Sequence, residues 1–143
     1  MRHVILSELS VILAPGGKHI TELVAGDTVQ GYDPNTRRVV MATLSSIEKL
    51  PEHLPVPRAM ASGYRVIPIL DKTMAMTPSG LKPLGEGSFV GHCNTNPSKL
   101  LVRDIGYPTE PGQLYDIIEL FWEGPDYIWA DGLLVGCLHE CNS

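Results

Sequence analysis

Short stretches of apolar residues, separated by turn-forming residues, run the whole length of this sequence. Within them apolar and polar positions alternate, or apolar residues cluster briefly, and no long stretch shows the period of an amphipathic helix. Such a pattern is typical of β-strands with one or both faces buried. It predicts strands at Ser10–Ala14, Thr28–Tyr32, Val39–Glu48, Tyr64–Leu70, Met74–Met76, Lys99–Val102, Leu114–Phe121, Tyr127–Ala130 and Leu133–Cys137.

The residues between these strands have the chemistry of tight turns. Pro15–Gly17 and Asp131-Gly132 supply glycines, which tolerate positive φ, and Asp33–Thr36 and Gly124–Asp126 each contain a proline suited to a turn. Many short strands joined by frequent turns predict an all-β fold, either a barrel or a sandwich-like domain.

Composition supports this fold class. The 14 glycines and 12 prolines are spread over 143 residues and disfavour long helices, and this length fits one domain, 1–143. Two proline- or glycine-bearing segments, Pro51–Gly63 and Gly91–Ser98, are predicted to be irregular surface loops. Residues 138–143 are predicted to form a short frayed tail.

Charge and hydropathy limit which classes of partner and which cellular compartment fit the sequence. The net charge is −5 and no run of lysine or arginine occurs, which argues against nucleic acid or an anionic membrane as the main partner. The first apolar run, Val4–Leu6, is too short for a secretory signal. We therefore expect a protein that is not secreted and is cytoplasmic, or part of a virion if a phage encodes it, with its three cysteines as reduced thiols.

Three segments, taken in order, carry a family resemblance. Ser10 to Val29 contains V-x-x-x-x-G-x-x-x-I-x-E-L-x-x-G-D-x-V, Tyr64 to Gly80 ends in Thr-Pro-Ser-Gly, and Leu114 to Val135 reads as a long hairpin ending A-D-G-L-L-V. Together they cover roughly half the chain and resemble the Hint (hedgehog/intein) self-processing domain. The resemblance implies a compact β-barrel in a horseshoe arrangement. It also implies self-processing, in which the domain cleaves a peptide bond of its own chain and, in some members, splices the flanking segments together.

That chemistry needs a Cys or Ser nucleophile, a His in a Thr-x-x-His motif, and a terminal His-Asn pair. By the resemblance, these positions fall near Val4, at Gly80, and at Gly136 with Cys137. None of them holds the required group, since Val and Gly have no reactive atom and Cys has no side-chain amide to cyclise. The sequence therefore predicts a scaffold without catalytic residues.

Thiols and imidazoles near the C-terminus could still bind a metal. Cysteine and histidine are the ligands that tetrahedral zinc prefers, although the Cys-x-His-x-Cys spacing on an extended strand is too wide for one ion. We therefore expect no cofactor, and zinc stays the less favoured alternative. The candidate ligands are His92, Cys93, Cys137, His139 and Cys141.

Aromatic residues are concentrated in the last predicted hairpin. Alternation puts Tyr127 and Trp129 on one face of their strand, so that one set of aromatics fills the core. The other set could anchor a partner, and the interface candidates are Trp122, Tyr127 and Trp129. Other candidates are assigned structural roles: Asp27 as the cap of a turn, and His3, His19 and His53 as solvated side chains.

The functional hypothesis is a non-catalytic structural or protein-binding module within an oligomeric assembly. A phage virion, with the chain as a collar, adaptor or baseplate component, is the assembly we expect by analogy. One alternative is a self-processing enzyme that uses Ser7, Ser10 or a C-terminal Cys as nucleophile. A second alternative is a zinc-stabilised binding domain.

Overall fold

The computed structural model describes residues 2–61, 65–84, 87–93, 96–106 and 112–137, without the side chains of Arg65, His92, Cys93, Asn96 and residues 103–106. The described part of the chain is almost entirely strand, with one short 3₁₀ turn at Ile20–Glu22. Its strands are β1 (Arg2–Ser7), β2 (Val11–Leu13), β3 (Gly17–His19), β4 (Thr28–Asp33), β5 (Arg38–Leu54), β6 (Arg58–Ala61), β7 (Arg65–Pro68), β8 (Met74–Thr77), β9 (Gly80–Pro83), β10 (Gly87–Cys93), β11 (Asn96–Gly106), β12 (Tyr115–Glu123), β13 (Tyr127–Ala130) and β14 (Leu133–Gly136). The predicted all-β fold class is confirmed.

All strand pairs in the described residues are antiparallel and join in one continuous sheet. The strand order is β1-β12-β5-β4-β13-β14-β10-β11-β6-β7, with the β2–β3 hairpin attached to β13 and the β8–β9 hairpin attached to β14. The first strand thus pairs with β12, far along the chain, with Arg2 opposite Trp122. The described helical content contains nothing long and apolar enough to cross a membrane.

Every predicted strand has a counterpart in the structure, and Tyr127–Ala130 has the predicted bounds. Tyr64, the predicted first residue of another strand, lies outside the described residues. Five strands were not predicted: β1, β3, β6, β9 and β10. Most of these are short, since β3, β6 and β9 have three or four residues each. Strand β1 pairs with β12, far along the chain, and local alternation does not report such a pairing.

The prediction of two irregular loops is wrong. Residues 51–54 belong to the end of β5, and Arg58–Ala61 forms β6. The register of β5 against β12 shifts between Asp116 and Ile118, so residues 50–52 of β5 lie opposite a single residue. This bulge tolerates Pro51, because a bulged residue needs no ladder hydrogen bond. The second segment likewise contains the end of β10 and the start of β11.

The main core is formed by side chains from most of the strands. Side chains from strands at both ends of the chain meet there, among them Val4, Ile12, Leu120, Trp122 and Ile128. A second cluster gathers around Tyr32, Trp129 and Leu134 on the other face of the central strands. Because both faces of β13 and β14 are covered, these strands consist almost wholly of buried residues.

Candidate functional site

The end of β14 lies against β1. Two positions named by the resemblance therefore lie close together: the expected nucleophile position, near Val4, and the expected terminal asparagine position, Cys137. The Sγ atom of Cys137 accepts a hydrogen bond from the backbone N–H of His3 at 3.0 Å and lies 2.8 Å from the His3 carbonyl oxygen. Cys137 is disulfide-bonded, and its partner is not among the described side chains. The expectation of reduced thiols is therefore wrong for this cysteine.

Val4, the expected nucleophile position, is a core residue. Its side chain is 3% exposed and it pairs with Leu120 across β1 and β12. Strand alternation turns this side chain to the interior because its neighbour His3 faces outward beside Phe121. The site therefore offers an isopropyl group where a hydroxyl or thiol would have to stand.

The two serines near this strand form a closed turn. Ser7 and Ser10 are both buried, the Oγ of Ser7 accepts the N–H of Leu9 at 3.3 Å, and the N–H of Ser10 donates to the Ser7 carbonyl at 3.1 Å. Their polar atoms hold the β1–β2 connection. The hydrogen bond to its hydroxyl explains why the polar side chain of Ser7 is tolerated at a buried position.

Thr73 is the residue that the structure places beside β1, and sequence reasoning missed it. Its Oγ1 donates to the carbonyl of Ile5 at 2.6 Å, and its side chain is buried. Strand β8 pairs with β14 through Ala75 and Val135. In the sequence, two threonines flank this segment, Thr73 just before β8 and Thr77 at its end. Local sequence does not distinguish them, because the pairing between distant strands decides which of the two reaches β1.

Gly80 lies at the far end of the β8–β9 hairpin, and the structure does not bring it to Cys137. The antiparallel register places Thr77 near Leu133, whereas residue 74 lies near Gly136. The hydroxyl of Thr77 donates to the carbonyl of Gly80 at 2.8 Å and accepts the N–H of Ser79 at 3.1 Å. Thr77 therefore closes its own turn.

The backbone at both glycines disfavours a side chain. Gly80 has φ of +113°, in the region that residues with a Cβ rarely adopt. At Gly136 a Cβ atom would lie 2.7 Å from the carbonyl oxygen of Asp126 and 2.7 Å from Cδ1 of Tyr127. Neither position accommodates histidine in the present backbone. The chain therefore differs from the expected family pattern in its backbone conformation at these positions as well as in its side chains.

The imidazoles in the described part of the chain have other partners. His3 Nδ1 lies 2.8 Å from Glu119 Oε2, and its ring stacks on Phe121 with centroids 5.7 Å apart. His53 Nε2 lies 3.0 Å from Asp116 Oδ1. Both side chains are solvated as predicted, at 45% and 56% exposed, and each also lies beside a carboxylate on the neighbouring strand, which was not predicted. His19, on β3, is exposed as predicted.

Asp27 has the predicted structural role. Its Oδ2 accepts the N–H of Val24 at 3.0 Å, which closes the turn before β4. Lys18 lies 3.8 Å from the same oxygen. The carboxylate is thus committed to backbone and to one cation, and it has the environment of a turn cap.

The metal candidates fall largely beyond the described residues. His139 and Cys141 lie outside them, as does the whole predicted tail 138–143, and the side chains of His92 and Cys93 are not described. Among the side chains that the structure places, no group of histidine, cysteine and acidic residues is arranged to hold a metal ion. Zinc binding therefore stays a prediction.

Of the three interface candidates, two are core residues. Trp122 and Trp129 are both 0% exposed, and Trp122 Nε1 donates to the carbonyl of Pro125 at 2.7 Å. Neither can anchor a partner on the surface, so this prediction is wrong for the two tryptophans. Tyr127 is half-buried, and burial, with a smaller effect of Asp126, raises the pKa of its phenol above the ordinary 10.0.

The raised pKa of Tyr127 predicts a loss of stability at high pH. The folded state holds the phenol proton more tightly than the unfolded state, so this stabilisation is complete below the ordinary pKa and is lost as pH rises from that value through the folded-state pKa. Thermal unfolding followed from about pH 9 to about pH 11 should show a steeper decline for the natural chain than for Tyr127→Phe. Equal declines in both proteins would contradict the prediction.

An open apolar cavity of about 350 Å³ lies between β2, β7 and the β13–β14 turn. Among its described lining residues the one ionisable side chain is Asp131, whose Oδ1 accepts the N–H of Val11 at 2.9 Å. Thr73 and Cys137 do not line it. The cavity is therefore separate from the place where β1 and β14 meet.

Comparison with solved structures identifies the fold, whereas comparison with sequences finds no match. No protein-family model and no curated protein sequence matches the chain. Among solved structures it is similar to the Ssp DnaB mini-intein variant M86, with a TM-score of 0.76, 14% identity, and coverage of 98% of this chain and 97% of that chain. It is also similar to a DnaB intein from Synechocystis sp. PCC 6803, with a TM-score of 0.74, 17% identity, and coverage of 93% and 96%. An intein-like domain from Clostridium thermocellum matches with a TM-score of 0.69, 16% identity, and coverage of 94% and 98%. The chain therefore has the Hint fold of inteins and intein-like domains.

Proposed function

We propose that this chain is a Hint-fold module that does not process itself and instead binds another protein within a larger assembly. The observation that carries the proposal is the backbone at the expected histidine positions. Gly80 has positive φ, and any Cβ at Gly136 would clash with the backbone of Asp126 and the ring of Tyr127. The histidines that the family's chemistry needs would require a different local backbone at both positions.

The remaining nucleophiles support the same proposal. Ser7 and Ser10 are buried in the turn after β1, and the sulfur of Cys137 is bonded to another sulfur. A hydroxyl needs an adjacent base to attack a carbonyl. The nearest described imidazole on β1, that of His3, lies against Glu119 and Phe121 instead.

The mass of the purified chain tests this proposal against the self-processing alternative. We expect the intact mass to stay unchanged over days, with and without added thiol. Release of a fragment near residue 10 or residue 137 would contradict the proposal, provided that Ser7→Ala, Ser10→Ala or Cys137→Ala abolishes the release. Cleavage that none of these variants changes would indicate a contaminating protease.

The assembly itself is a second part of the proposal. A phage virion, in which the chain serves as a collar, adaptor or baseplate component, is the assembly we favour, and the support is analogy together with the absence of catalytic groups at the family positions Val4, Gly80, Gly136 and Cys137. The proteins that co-purify with the chain from its native particle test this part. Recovery of the chain only as a free monomer from that source would contradict it.

A further inference from the structure

The tip of the β4–β5 hairpin carries eight consecutive exposed residues, Pro34–Met41. We refer to the last five of them, Arg37–Met41, as the hairpin tip. Val39, Val40 and Met41 are 41%, 37% and 44% exposed. Since neighbouring residues of a strand point to opposite faces, exposure of all three means that both faces of the ribbon are open to solvent here. A strand with one buried face exposes only every second side chain, and those are usually polar. Three adjacent exposed apolar side chains therefore mark a surface that could contact a partner.

One edge of the hairpin tip is also unpaired. The N–H of Leu44 donates to the Asp27 carbonyl at 2.8 Å, which fixes the alternation of hydrogen bonds between β4 and β5. By that alternation the N–H and C=O of Val39 point away from β4. The pairing of β5 with β12 begins only at Thr43, opposite Glu123, so in the described part of the chain no strand pairs with Val39 on this side.

The charge of the hairpin tip is opposite to that of the chain. Arg37 and Arg38 are exposed, and within the described residues neither forms an ion pair. Asp33 lies opposite Arg38, but its Oδ1 accepts the N–H of Asn35 at 2.9 Å. On a chain with a net charge of −5, two unpaired guanidinium groups form a local positive site beside an apolar strand edge.

We propose that the hairpin tip docks an extended segment of a partner protein in which apolar and acidic residues alternate. The segment would pair with Val39 through its backbone, place its apolar side chains on Val39 and Met41, and place its carboxylates at Arg37 and Arg38. This inference rests on the proposed function, since it names the kind of protein that such a module binds.

Other occupants fit this surface less well. A second copy of the chain, pairing tip to tip, would bring four arginines together, and like charges across an interface are repulsive. A nucleic acid needs many phosphate contacts for useful affinity, and only two cations stand here. The apolar side chains and the free backbone edge match a peptide strand in both hydrogen bonding and burial.

Fluorescence anisotropy with a labelled peptide of alternating glutamate and valine tests the inference. We expect saturable binding that weakens about tenfold or more in Arg37→Glu/Arg38→Glu. The matched control is Lys82→Glu/Lys99→Glu, which changes the net charge equally at two other exposed sites and should leave the affinity unchanged. A lysine–valine peptide should not bind.

The apolar part of the surface needs its own variants. Val39→Thr/Met41→Thr should weaken peptide binding, whereas Met60→Thr, at a residue that is 44% exposed on β6, should not. All seven positions altered in the charge variants, the apolar variants and their controls are exposed, and thermal unfolding of each variant verifies that the fold is kept.

Four results would overturn the inference. They are equal binding by the tip variants and their controls, equal binding of the lysine–valine peptide, tip-dependent binding to anionic vesicles or duplex DNA in place of the peptide, and self-association that the tip variants abolish. Self-cleavage in the mass experiment would overturn the proposed function while leaving the anisotropy result unaffected. The two failures are therefore distinguishable.

Discussion

Replacement of Gly136 by histidine is expected to destabilise the fold by about 1–3 kcal/mol or more, and to restore no processing activity. Gly136 pairs with Tyr127 across β13 and β14. A Cβ atom there would lie 2.7 Å from the Asp126 carbonyl oxygen and 2.7 Å from the Tyr127 ring, well inside van der Waals contact. The strand has to move away from its neighbour, so ladder hydrogen bonds and packing are both lost.

Urea denaturation measures this effect through the midpoint and the slope of the unfolding curve. Gly136→Ala should already show most of the loss, because the clash involves the first side-chain atom. Gly17→Ala is a matched control, since a Cβ there meets only the end of the Val11 side chain, at 3.2 Å, and should cost less. A Gly136→His variant as stable as the natural chain would mean that the backbone does not exclude the family's side chain.

Truncation of Trp122 to alanine is expected to cost about 3–5 kcal/mol. The indole is 0% exposed in the main core, and its Nε1–H is satisfied by the carbonyl of Pro125 at 2.7 Å. The substitution leaves a large cavity and also an unpaired carbonyl in the β12–β13 turn. This loss is a large part of the ~5–15 kcal/mol that stabilises a typical domain.

Trp122→Phe is the milder variant, which keeps much of the ring volume but loses the hydrogen bond, and it should lie between the natural chain and Trp122→Ala. Met60→Ala, at an exposed position, should change the free energy of unfolding very little. The structure would be contradicted if Trp122→Ala and Met60→Ala had similar midpoints.

The fold was predictable because its information is local. Alternation marks strands such as Tyr127–Ala130, and Asp131-Gly132 marks the turn that follows, where Asp131 has a φ of +53° and Gly132 a φ of +79°. Strand β1 was missed because its pairing partner, β12, lies more than a hundred residues away. Its identity as a strand is a tertiary property of the chain.

The site was less predictable for the same reason. The resemblance assigned family positions to Val4 and Cys137 without indicating that they lie close together, which the contact of Cys137 with His3 on β1 shows. It placed the Thr-x-x-His position at Gly80, whereas the pairing of β8 with β14 brings Thr73 to β1. Only the register of distant strands distinguishes the two threonines.

The tryptophans show a further limit of pattern analysis. Alternation assigns neighbouring residues of β13 to opposite faces, but it does not say that both faces are covered. In the structure Ile128 belongs to the main core and Trp129 to the cluster around Tyr32, so consecutive side chains are both buried. A central strand enclosed on two sides leaves Trp129 no face for solvent, and only Tyr127, at the start of the strand, is partly exposed.

The contact between His3 on β1 and Cys137, the residue after β14, brings the first and the last described strands together. With these two points side by side, a segment from residue 3 to residue 137 should insert into a surface loop of a host scaffold without stretching either connection. By the same geometry, a short linker between residues 3 and 137, with the chain opened at another exposed turn, should give a circular permutant that keeps the β-sheet order.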